Sequence, residues 1–349
     1  MKLYGHMPNG EDVFQVTIES NDLQLKVLSL GAIIQDIRMK NVTHSLVLGY
    51  PRLEPYFINS GKLGAIVGRY ANRISNGKAT IDGKIYSFDK NQNKTHTLHG
   101  GIDGSATRNW KIIEYDKSKV KLLDKLPDGH MGFPGNLTVE TTYNVNKTSI
   151  DIFIEASTDK TTLCNFTNHS YFNLDGAKNI ANHSLIVNCD TVLPVDTNGI
   201  PSSEPVSTKE LALDFKKSRK LNENGKPTEI DHNFCISNTR QNLRTNAIVS
   251  AKNISLELLS TEPGLQIYTG KALDSGSDKG WGKFPYKEFA GIALEPQIWP
   301  DSPNQSSFPS PYLRPHERYK HHTRIKFSNS KDKKSVSYTH LTLPTILLV

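Results

Sequence analysis

Apolar and polar residues alternate along several short stretches of the chain, which is the pattern of half-buried β-strands. The alternation covers residues 14–18 and, over a longer run, residues 137–145. After a turn at Asn146-Lys147 it resumes through residues 150–156. Two alternating runs joined by a short polar turn predict an antiparallel β-hairpin.

The rest of the chain extends this picture. A third run covers residues 254–258, and short β segments flank Asp82-Gly83, a dipeptide typical of tight hairpin turns. Only residues 209–215 suggest a helix, and no regular βαβ alternation occurs, which disfavours a doubly wound fold. Residues 194–230 and 274–284 are rich in loop-forming residues, and loops of this length are often functional. Many short strands separated by turns indicate an all-β sandwich or barrel.

Composition narrows the class of protein. Of the 349 residues 36% are hydrophobic, enough for a large core, so global disorder is excluded. The three cysteines are far apart, which argues against a disulfide framework and a structural zinc site. No apolar run is long enough for a transmembrane helix, and the first residues lack the apolar stretch of a signal peptide. We therefore expect a cytoplasmic location and no membrane partner.

The net charge of +7 is concentrated near one end of the chain. Residues 313–334 hold eight basic and two acidic side chains, so the remainder is nearly neutral. Neither a basic face with stacking aromatic residues nor a known nucleic-acid module is evident. We expect no nucleic-acid partner and interpret the basic segment as a solvated end.

The last residues differ from the rest in character. The charged, polar segment 331–335 is followed abruptly by residues 336–345, which resemble the translation of a sequencing-library adapter read in frame. We predict that residues 1–330 form a single β-sandwich domain and that residues 331–349 are a non-native or disordered tail.

Several short segments concentrate polar side chains and supply the candidate chemistry. Read alone, each has a structural explanation: His99 precedes a Gly-Gly turn, His169 lies between aromatic neighbours, and Glu295 follows a short apolar run. A carboxylate that ends a buried strand is either paired structurally or functional, because an unpaired buried charge is costly. The segments are Gly68–Ser75, Thr95–Gly101, Asn165–Leu174 and Leu294–Gln305, with two smaller ones at Ile230–Phe234 and Gly264–Gly270.

Other chemistries find less support. The chain has no GxGxxG or Walker A loop, no GxSxG elbow and no HExxH helix motif. The pairs His96/His99 and His321/His322 lack a cysteine or acidic partner at a suitable spacing, so we expect no metal site.

Taken together, five motifs in a fixed order resemble the aldose 1-epimerase family, the galactose mutarotases. The resemblance extends from about Phe14 to Phe327, and the ten-residue segment NFTNHSYFNL is its most specific part. The motifs are Gly64–Ile74, Leu98–Gly101, Gly132–Asn136, Asn165–Leu174 and Glu295–Asp301.

The resemblance implies a large antiparallel β-sandwich of the galactose mutarotase-like supersandwich type, with few short helices and a sugar cleft open on one sheet. It implies no cofactor, a small-molecule monosaccharide as the partner, and a monomer or weak dimer. It also assigns roles: Glu295 matches the catalytic base and His169 the catalytic acid. The matching sugar-binding positions are Arg73, His99, Asp231 and Gln266, with Asn72 beside Arg73 in the same motif.

The implied reaction interconverts the α and β anomers of free aldohexoses such as galactose and glucose by opening and reclosing the ring. It needs a base near the C1 hydroxyl and an acid near the ring oxygen, and a carboxyl and an imidazole suit these tasks near neutral pH. We expect Trp299 or Phe172 to wall the cleft, although Trp299 equally fits a core position.

Three alternatives stay open. A hexose-6-phosphate 1-epimerase would need a basic pocket, to which Arg69 or Lys271 would contribute; Lys271 stands where the family usually has Asn. A glycoside hydrolase would pair Glu295 with Asp231 or Asp301. A non-catalytic sugar-binding protein on the same scaffold would bind sugar without accelerating its conversion.

Overall fold

Antiparallel strands dominate the computed structural model of the protein, which describes residues 1–59, 61–223, 225–282 and 284–330. The predicted tail, 331–349, lies outside the described residues, so the division of the chain at residue 330 stays a prediction. The single α-helix of the described residues is α1 (Glu54–Ile58), and four 3-10 turns cover Ser75–Gly77, Ser105–Thr107, His130–Gly132 and Ser302–Asn304.

The strands of the described residues are short and numerous. In chain order they are β1 (Lys2–His6), β2 (Asp12–Glu19), β3 (Leu23–Leu28), β4 (Ile34–Met39), β5 (Ile66–Val67), β6 (Arg73–Ile74), β7 (Lys78–Ile81), β8 (Lys84–Ser87), β9 (Thr97–Leu98), β10 (Lys111–Tyr115), β11 (Lys119–Leu126), β12 (Leu137–Asn146), β13 (Ser149–Thr158), β14 (Thr162–Leu163), β15 (Thr167–Asn168), β16 (Tyr171–Phe172), β17 (Ser184–Val187), β18 (Thr191–Val192), β19 (Val206–Ser207), β20 (Arg219–Lys220), β21 (Asn222–Glu223), β22 (Lys226–Pro227), β23 (Asp231–Cys235), β24 (Arg244–Ala251), β25 (Ile254–Ser260), β26 (Gly264–Tyr268), β27 (Ile292–Gln297), β28 (Tyr312–Leu313) and β29 (Tyr319–Asn329).

A nine-stranded sheet forms one layer, with the strand order β10-β11-β12-β13-β29-β25-β24-β17-β20. The predicted hairpin is its β12–β13 pair, in which Tyr143 lies opposite Ile152. Buried and partly exposed residues alternate strictly along most of β12, and the third predicted run is β25. The hairpin prediction and the period-two reading of these strands are therefore confirmed.

A six-stranded sheet, with the order β16-β27-β26-β23-β18-β19, forms the facing layer. One apolar cluster joins the two layers: it contains Ile152 and Leu258 from the nine-stranded sheet and Phe172, Ile292 and Leu294 from the six-stranded sheet. Two sheets that share an interior in this way form a β-sandwich, as predicted. The strands β1 to β4 form a separate four-stranded sheet whose residues join the same cluster.

Turn chemistry explains one success and one failure of the sequence reading. Asp82 and Gly83 connect β7 to β8 with positive φ angles of 48° and 76°, as a two-residue hairpin turn of this type requires. The helix predicted at residues 209–215 is wrong, because these residues form turns followed by backbone without regular secondary structure. Ala212 has a φ of 56°, which interrupts any helix, and a seven-residue segment has little helical stability of its own.

None of the helices in the described part of the chain is long and apolar enough to cross a membrane.

Candidate active site

A cleft of about 310 Å³ opens on the six-stranded sheet, on the face turned away from the shared core. The structure brings all seven residues singled out from the sequence to its walls. They come from six separate parts of the chain and are Asn72, Arg73, His99, His169, Asp231, Gln266 and Glu295.

Three of these side chains project from neighbouring strands of the six-stranded sheet. Gln266 on β26 lies opposite Glu295 on β27 and, on its other side, opposite Asn233 on β23. Asp231 precedes Asn233 by two positions on β23, so it points to the same face of the sheet. The register of the three strands therefore places a carboxylate, an amide and a second carboxylate side by side on the cleft floor.

Glu295 is deeply buried, with 2% of its surface exposed. Its neighbours on β27 include Leu294, which faces the shared core, so strand alternation turns Glu295 toward the cleft. Its Oε2 atom has no hydrogen-bond partner among the described residues. Burial raises the pKa of Glu295 well above its usual value; the nearby Asp231 carboxylate adds to this, and Arg73 opposes it.

His169 lies between β15 and β16, and its backbone is held by Gly64 and Ala65, the two residues before β5. Its N–H donates to the Ala65 carbonyl at 2.8 Å, and its carbonyl accepts from Gly64 N–H at 2.9 Å. Its Nε2 atom lies 3.5 Å from Oε1 of Glu295, and its Nδ1 atom has no partner in the described part of the chain. Burial, reinforced by the positive charge of Lys62, lowers the pKa of His169 to about 4.

His99 is positioned by a tight turn that ends β9. It has a φ of 53°, and Gly100 after it has a φ of 85°. A Cβ atom at Gly100 would come within 2.0 Å of the Gly68 carbonyl oxygen, so only glycine fits there. The Nδ1 atom of His99 accepts from the backbone N–H of Asn72 at 3.1 Å.

This hydrogen bond determines which nitrogen of the His99 ring carries the proton. Burial, with smaller contributions from His169 and Arg73, holds the pKa of His99 well below 6.5, so the ring is neutral at neutral pH. A neutral imidazole whose Nδ1 accepts a hydrogen bond carries its proton on Nε2. His99 therefore offers one N–H donor for a ligand oxygen.

Arg73, Asp231 and Gln266 form a hydrogen-bonding group at the end of the cleft. Asp231 Oδ1 accepts from Gln266 Nε2 at 2.6 Å, and Oδ2 lies 3.7 Å from Arg73 Nη2. Arg73 is oriented from behind, because its Nε donates to Gln92 Oε1 at 3.1 Å and its Nη1 to Asn72 Oδ1 at 3.4 Å. Fixed donors beside fixed acceptors match the adjacent hydroxyls of a sugar.

A metal ion is a second class of ligand to consider. One donor atom from each of His99, His169 and Glu295 lies within 4.8 Å of the others. Two imidazoles and a carboxylate are a set that zinc accepts in proteins, so these residues could hold a metal. The expectation of a metal-free site stays a prediction.

The cleft walls differ from the sequence expectation. Trp299 and Phe172 are both buried in apolar clusters, and neither lines the cleft. Tyrosines supply the walls instead, together with the half-buried Lys62. Tyr171 lies within the most specific family motif, so the sequence could have marked it as a cleft residue. Nothing in the sequence singles out a lysine in a polar loop. The tyrosines are Tyr50, Tyr171, Tyr268 and Tyr286.

Three charged residues named in the alternatives lie outside the cleft lining. Arg69 is 2% exposed and donates to backbone carbonyls such as those of Pro134 and Gly135, both at 2.9 Å. Lys271 pairs with Glu288 at 3.3 Å. Asp301 accepts from the Ser75 N–H at 2.8 Å and closes a turn. The phosphate-binding role that the hexose-6-phosphate alternative gives to Arg69 or Lys271 therefore finds no support in their positions.

Comparison with known proteins identifies the family. The sequence profile described as aldose 1-epimerase matches residues 15–326. The galactose mutarotase of Mus musculus is 36% identical over 336 residues, which cover 93% of this chain and 97% of the mouse protein. The chain belongs to the aldose 1-epimerase family.

Other relatives of this aldose 1-epimerase family member agree. The aldose 1-epimerase of Escherichia coli K12 is 33% identical, with 92% of this chain and 96% of that protein covered. The crystal structure of the GalM/aldose epimerase homologue from C. elegans superposes with a TM-score of 0.85 at 29% identity, covering 91% of this chain and 99% of that one. The chain is thus an isomerase with the galactose mutarotase fold.

Proposed function

We propose that the protein interconverts the α and β anomers of free aldohexoses, with galactose and glucose as its substrates. The observation that carries the proposal is the buried pair of Glu295 and His169, whose facing atoms lie 3.5 Å apart at the cleft floor. The C1 hydroxyl and the ring oxygen are bonded to the same carbon, so a base and an acid that serve them must lie this close together.

In the proposed mechanism Glu295 removes the proton from the C1 hydroxyl. The electron pair of that O–H bond forms the C1 carbonyl, the bond between C1 and the ring oxygen breaks, and its electrons accept a proton from His169. Rotation about C1–C2 presents the other carbonyl face. Reclosure reverses each transfer, so the enzyme ends with its protons where they began.

The shifted pKa values of Glu295 and His169 support a mechanism in which these two groups share one proton. Burial raises the pKa of Glu295 and lowers that of His169, so the empty cleft favours the uncharged pair. That form is the one that ring opening generates and ring closure consumes. The ion pair that starts ring opening differs only in the location of the proton, and the positive charge of Arg73 favours the Glu295 carboxylate in it.

The remaining polar residues bind and orient the sugar in this proposal. Arg73, Asp231 and Gln266 take adjacent hydroxyls, and Asn72 holds both Arg73 and the His99 ring. His99 donates from Nε2 to an oxygen near the reacting centre. No cofactor takes part, and the cytoplasmic location and the monomeric or weakly dimeric state stay predictions.

A glycoside hydrolase fits this arrangement poorly. That reaction needs two carboxyl groups on either side of the scissile bond, about 5–9.5 Å apart. The group beside Glu295 is an imidazole, and the second carboxylate of the cleft, Asp231, already accepts from Gln266 and lies beside Arg73.

Proton NMR exchange spectroscopy on the sugar at anomeric equilibrium tests the proposal, and the anomers need not be separated first. We expect magnetisation to pass between the α and β anomeric signals of galactose and glucose much faster with the protein than without it, and equally fast after chelation of metals. Binding of galactose without faster exchange would point to the non-catalytic alternative, and release of a phenol from an aryl galactoside to the hydrolase.

A further inference from the structure

Lys62 is a cation of the cleft wall that the proposed mechanism does not use. It follows Gly61, where the loop after α1 returns toward the site, and both residues line the cleft. The Lys62 carbonyl accepts from Ala65 N–H at 3.1 Å, and Gly64 N–H donates to the His169 carbonyl at 2.9 Å. The loop that carries Lys62 is thereby fastened to the backbone of the proposed catalytic acid.

The charge of Lys62 has no counterion within the described residues. Its side chain is half-buried and takes part in no hydrogen bond or ion pair there. The carboxylates of the cleft are engaged elsewhere: Asp231 with Gln266, Glu295 with His169, and Asp274 with Lys287. Burial lowers the pKa of the Lys62 amine, which is the sign of an ammonium group that lacks compensation.

Lys62 lies on the histidine side of the cleft. Its positive charge lowers the pKa of both His99 and His169, whereas the charges that act on Glu295 are those of Asp231 and Arg73. In the proposed function Glu295 serves the C1 hydroxyl and His169 the ring oxygen. The ring oxygen is bonded on its other side to C5, which carries the exocyclic C6.

The C6 substituent therefore falls on the side of the ring oxygen that faces away from Glu295, which is the side of Lys62. A neutral hexose presents a hydroxyl there and leaves the ammonium charge uncompensated. A hexuronate presents a carboxylate, and a hexose 6-phosphate presents a phosphate. Either anion would form a charge-assisted hydrogen bond with the amine.

We propose that Lys62 forms a subsite for an anionic group on C6, so that the cleft converts the anomers of hexuronates and related C6 anions as well as those of neutral hexoses. The inference rests on the proposed function, since the orientation of the sugar follows from the roles of Glu295 and His169. It assigns to Lys62 the anion-binding task that neither Arg69 nor Lys271 is placed to perform.

The test compares a charged and a neutral substrate on the same protein. The mutarotation of α-D-galacturonate and of α-D-galactose is followed by polarimetry for the wild type, Lys62→Met and Lys62→Arg. We expect the ratio of kcat/KM for galacturonate over galactose to fall about 10–100-fold in Lys62→Met, as loss of a charge-assisted hydrogen bond implies, and to recover in part in Lys62→Arg. A ratio cancels any general loss of folded protein.

Lys271→Met is the matched control, because Lys271 pairs with Glu288 outside the cleft. It should leave the ratio and both activities unchanged. A parallel series with glucose 6-phosphate distinguishes the two sources of the anion, since a loss in Lys62→Met confined to one of them identifies the group that the subsite takes.

An unchanged ratio for both anions in Lys62→Met would overturn the inference. So would a wild-type protein that converts galactose but neither galacturonate nor glucose 6-phosphate, and the proposed function would survive that result. Failure to convert galactose, glucose or either anion would instead contradict the proposed function itself.

Discussion

Two histidine–carboxylate pairs of the described structure, one on each sheet of the sandwich, differ in how they are compensated. In the nine-stranded sheet, His322 Nε2 lies 2.6 Å from Asp151 Oδ1, and Arg324 reaches the same oxygen at 2.7 Å. In the cleft, His169 and Glu295 are 3.5 Å apart, and each has a second polar atom without a partner in the described structure.

The pKa values of the two carboxyl groups move in opposite directions for this reason. Burial alone would raise the pKa of Asp151, but hydrogen bonds from His322 and Arg324 outweigh it, and the pKa falls below its usual value. Around Glu295 burial prevails. Proximity of a histidine to a carboxylate is therefore not enough to single out a pair for proton transfer; burial without full compensation is what distinguishes the pair that we propose as acid and base.

The largest expected effect is on kcat, and it distinguishes the substitution of His169 in the cleft from that of His322 in the nine-stranded sheet. His169→Asn removes the proposed acid and should lower kcat about 10²–10⁴-fold, the usual contribution of a positioned proton transfer. His322→Asn, the matched change in the nine-stranded sheet, should leave kcat per folded molecule nearly unchanged. A stopped polarimetric assay with galactose measures both, and comparable kcat values for the two variants would contradict the assignment.

The next largest effect is on KM, and it should distinguish Arg73, beside the cleft pair, from Arg324, beside the pair in the nine-stranded sheet. Arg73→Ala removes a proposed hydroxyl-binding donor and should raise the KM for galactose about 10-fold or more, as loss of a charged hydrogen bond predicts. Arg324→Ala should leave KM unchanged and act on stability alone. Steady-state kinetics on both variants decide the point, and an unaltered KM in Arg73→Ala would remove Arg73 from the sugar site.

The pH dependence of activity follows from the shifted pair. The pKa of His169 lies at about 4 and that of Glu295 well above its usual value, so between these limits the pair holds one proton. Because both forms of the singly protonated pair interconvert freely, kcat/KM should be flat in this window, fall below about pH 4 and fall again at the pKa of Glu295. If kcat/KM already declined as pH fell below about 6.5, the ordinary histidine pKa, the result would contradict the lowered pKa of His169.

A smaller effect concerns stability, and its sign differs between the sheets. The raised pKa of Glu295 makes the folded state bind this proton more tightly than the unfolded state does, so folding is weakened as pH rises above the unfolded pKa of the group. Glu295→Gln should therefore raise Tm by about 2 °C, or roughly 1 kcal/mol.

The counterpart in the nine-stranded sheet is Asp151→Asn. The pKa of Asp151 is lowered, so this group stabilises the fold above its unfolded pKa and the contribution disappears as pH falls through its folded value. Asp151→Asn should lower Tm at neutral pH and lose its effect in acid. Thermal unfolding of both variants at several pH values measures the contrast; shifts of the same sign at neutral pH would undermine it.

The same difference between the sheets explains what the sequence could predict. In the nine-stranded sheet β12 has one buried and one partly exposed face, so its residues alternate and its hairpin with β13 can be predicted from the pattern. Strand β27 is buried at every position, because one face meets the core and the other lies beneath the cleft. Its alternation is therefore not visible in the sequence, and Glu295 is marked only by the short apolar run before it and by its family motif.

Other features depended on tertiary structure. The seven site residues were placed by family resemblance, and their convergence on one cleft agrees with that placement, although their roles stay predictions. The tyrosine walls and Lys62 were missed, because tyrosine is ordinary in strands and a loop lysine reads as solvated. The sequence left open whether Trp299 walls the cleft or belongs to the core. In the structure its ring centroid lies 5.1 Å from that of Phe308, within an apolar core cluster.

The most direct test of the account is the mutarotation of freshly dissolved α-D-galactose, followed by optical rotation with the wild type and with Glu295→Gln. The account predicts rapid relaxation with the wild type, a loss of about 10²–10⁴-fold in Glu295→Gln, and galactose binding by the variant close to that of the wild type. Near-wild-type relaxation with Glu295→Gln would contradict the role of this carboxyl group as the base.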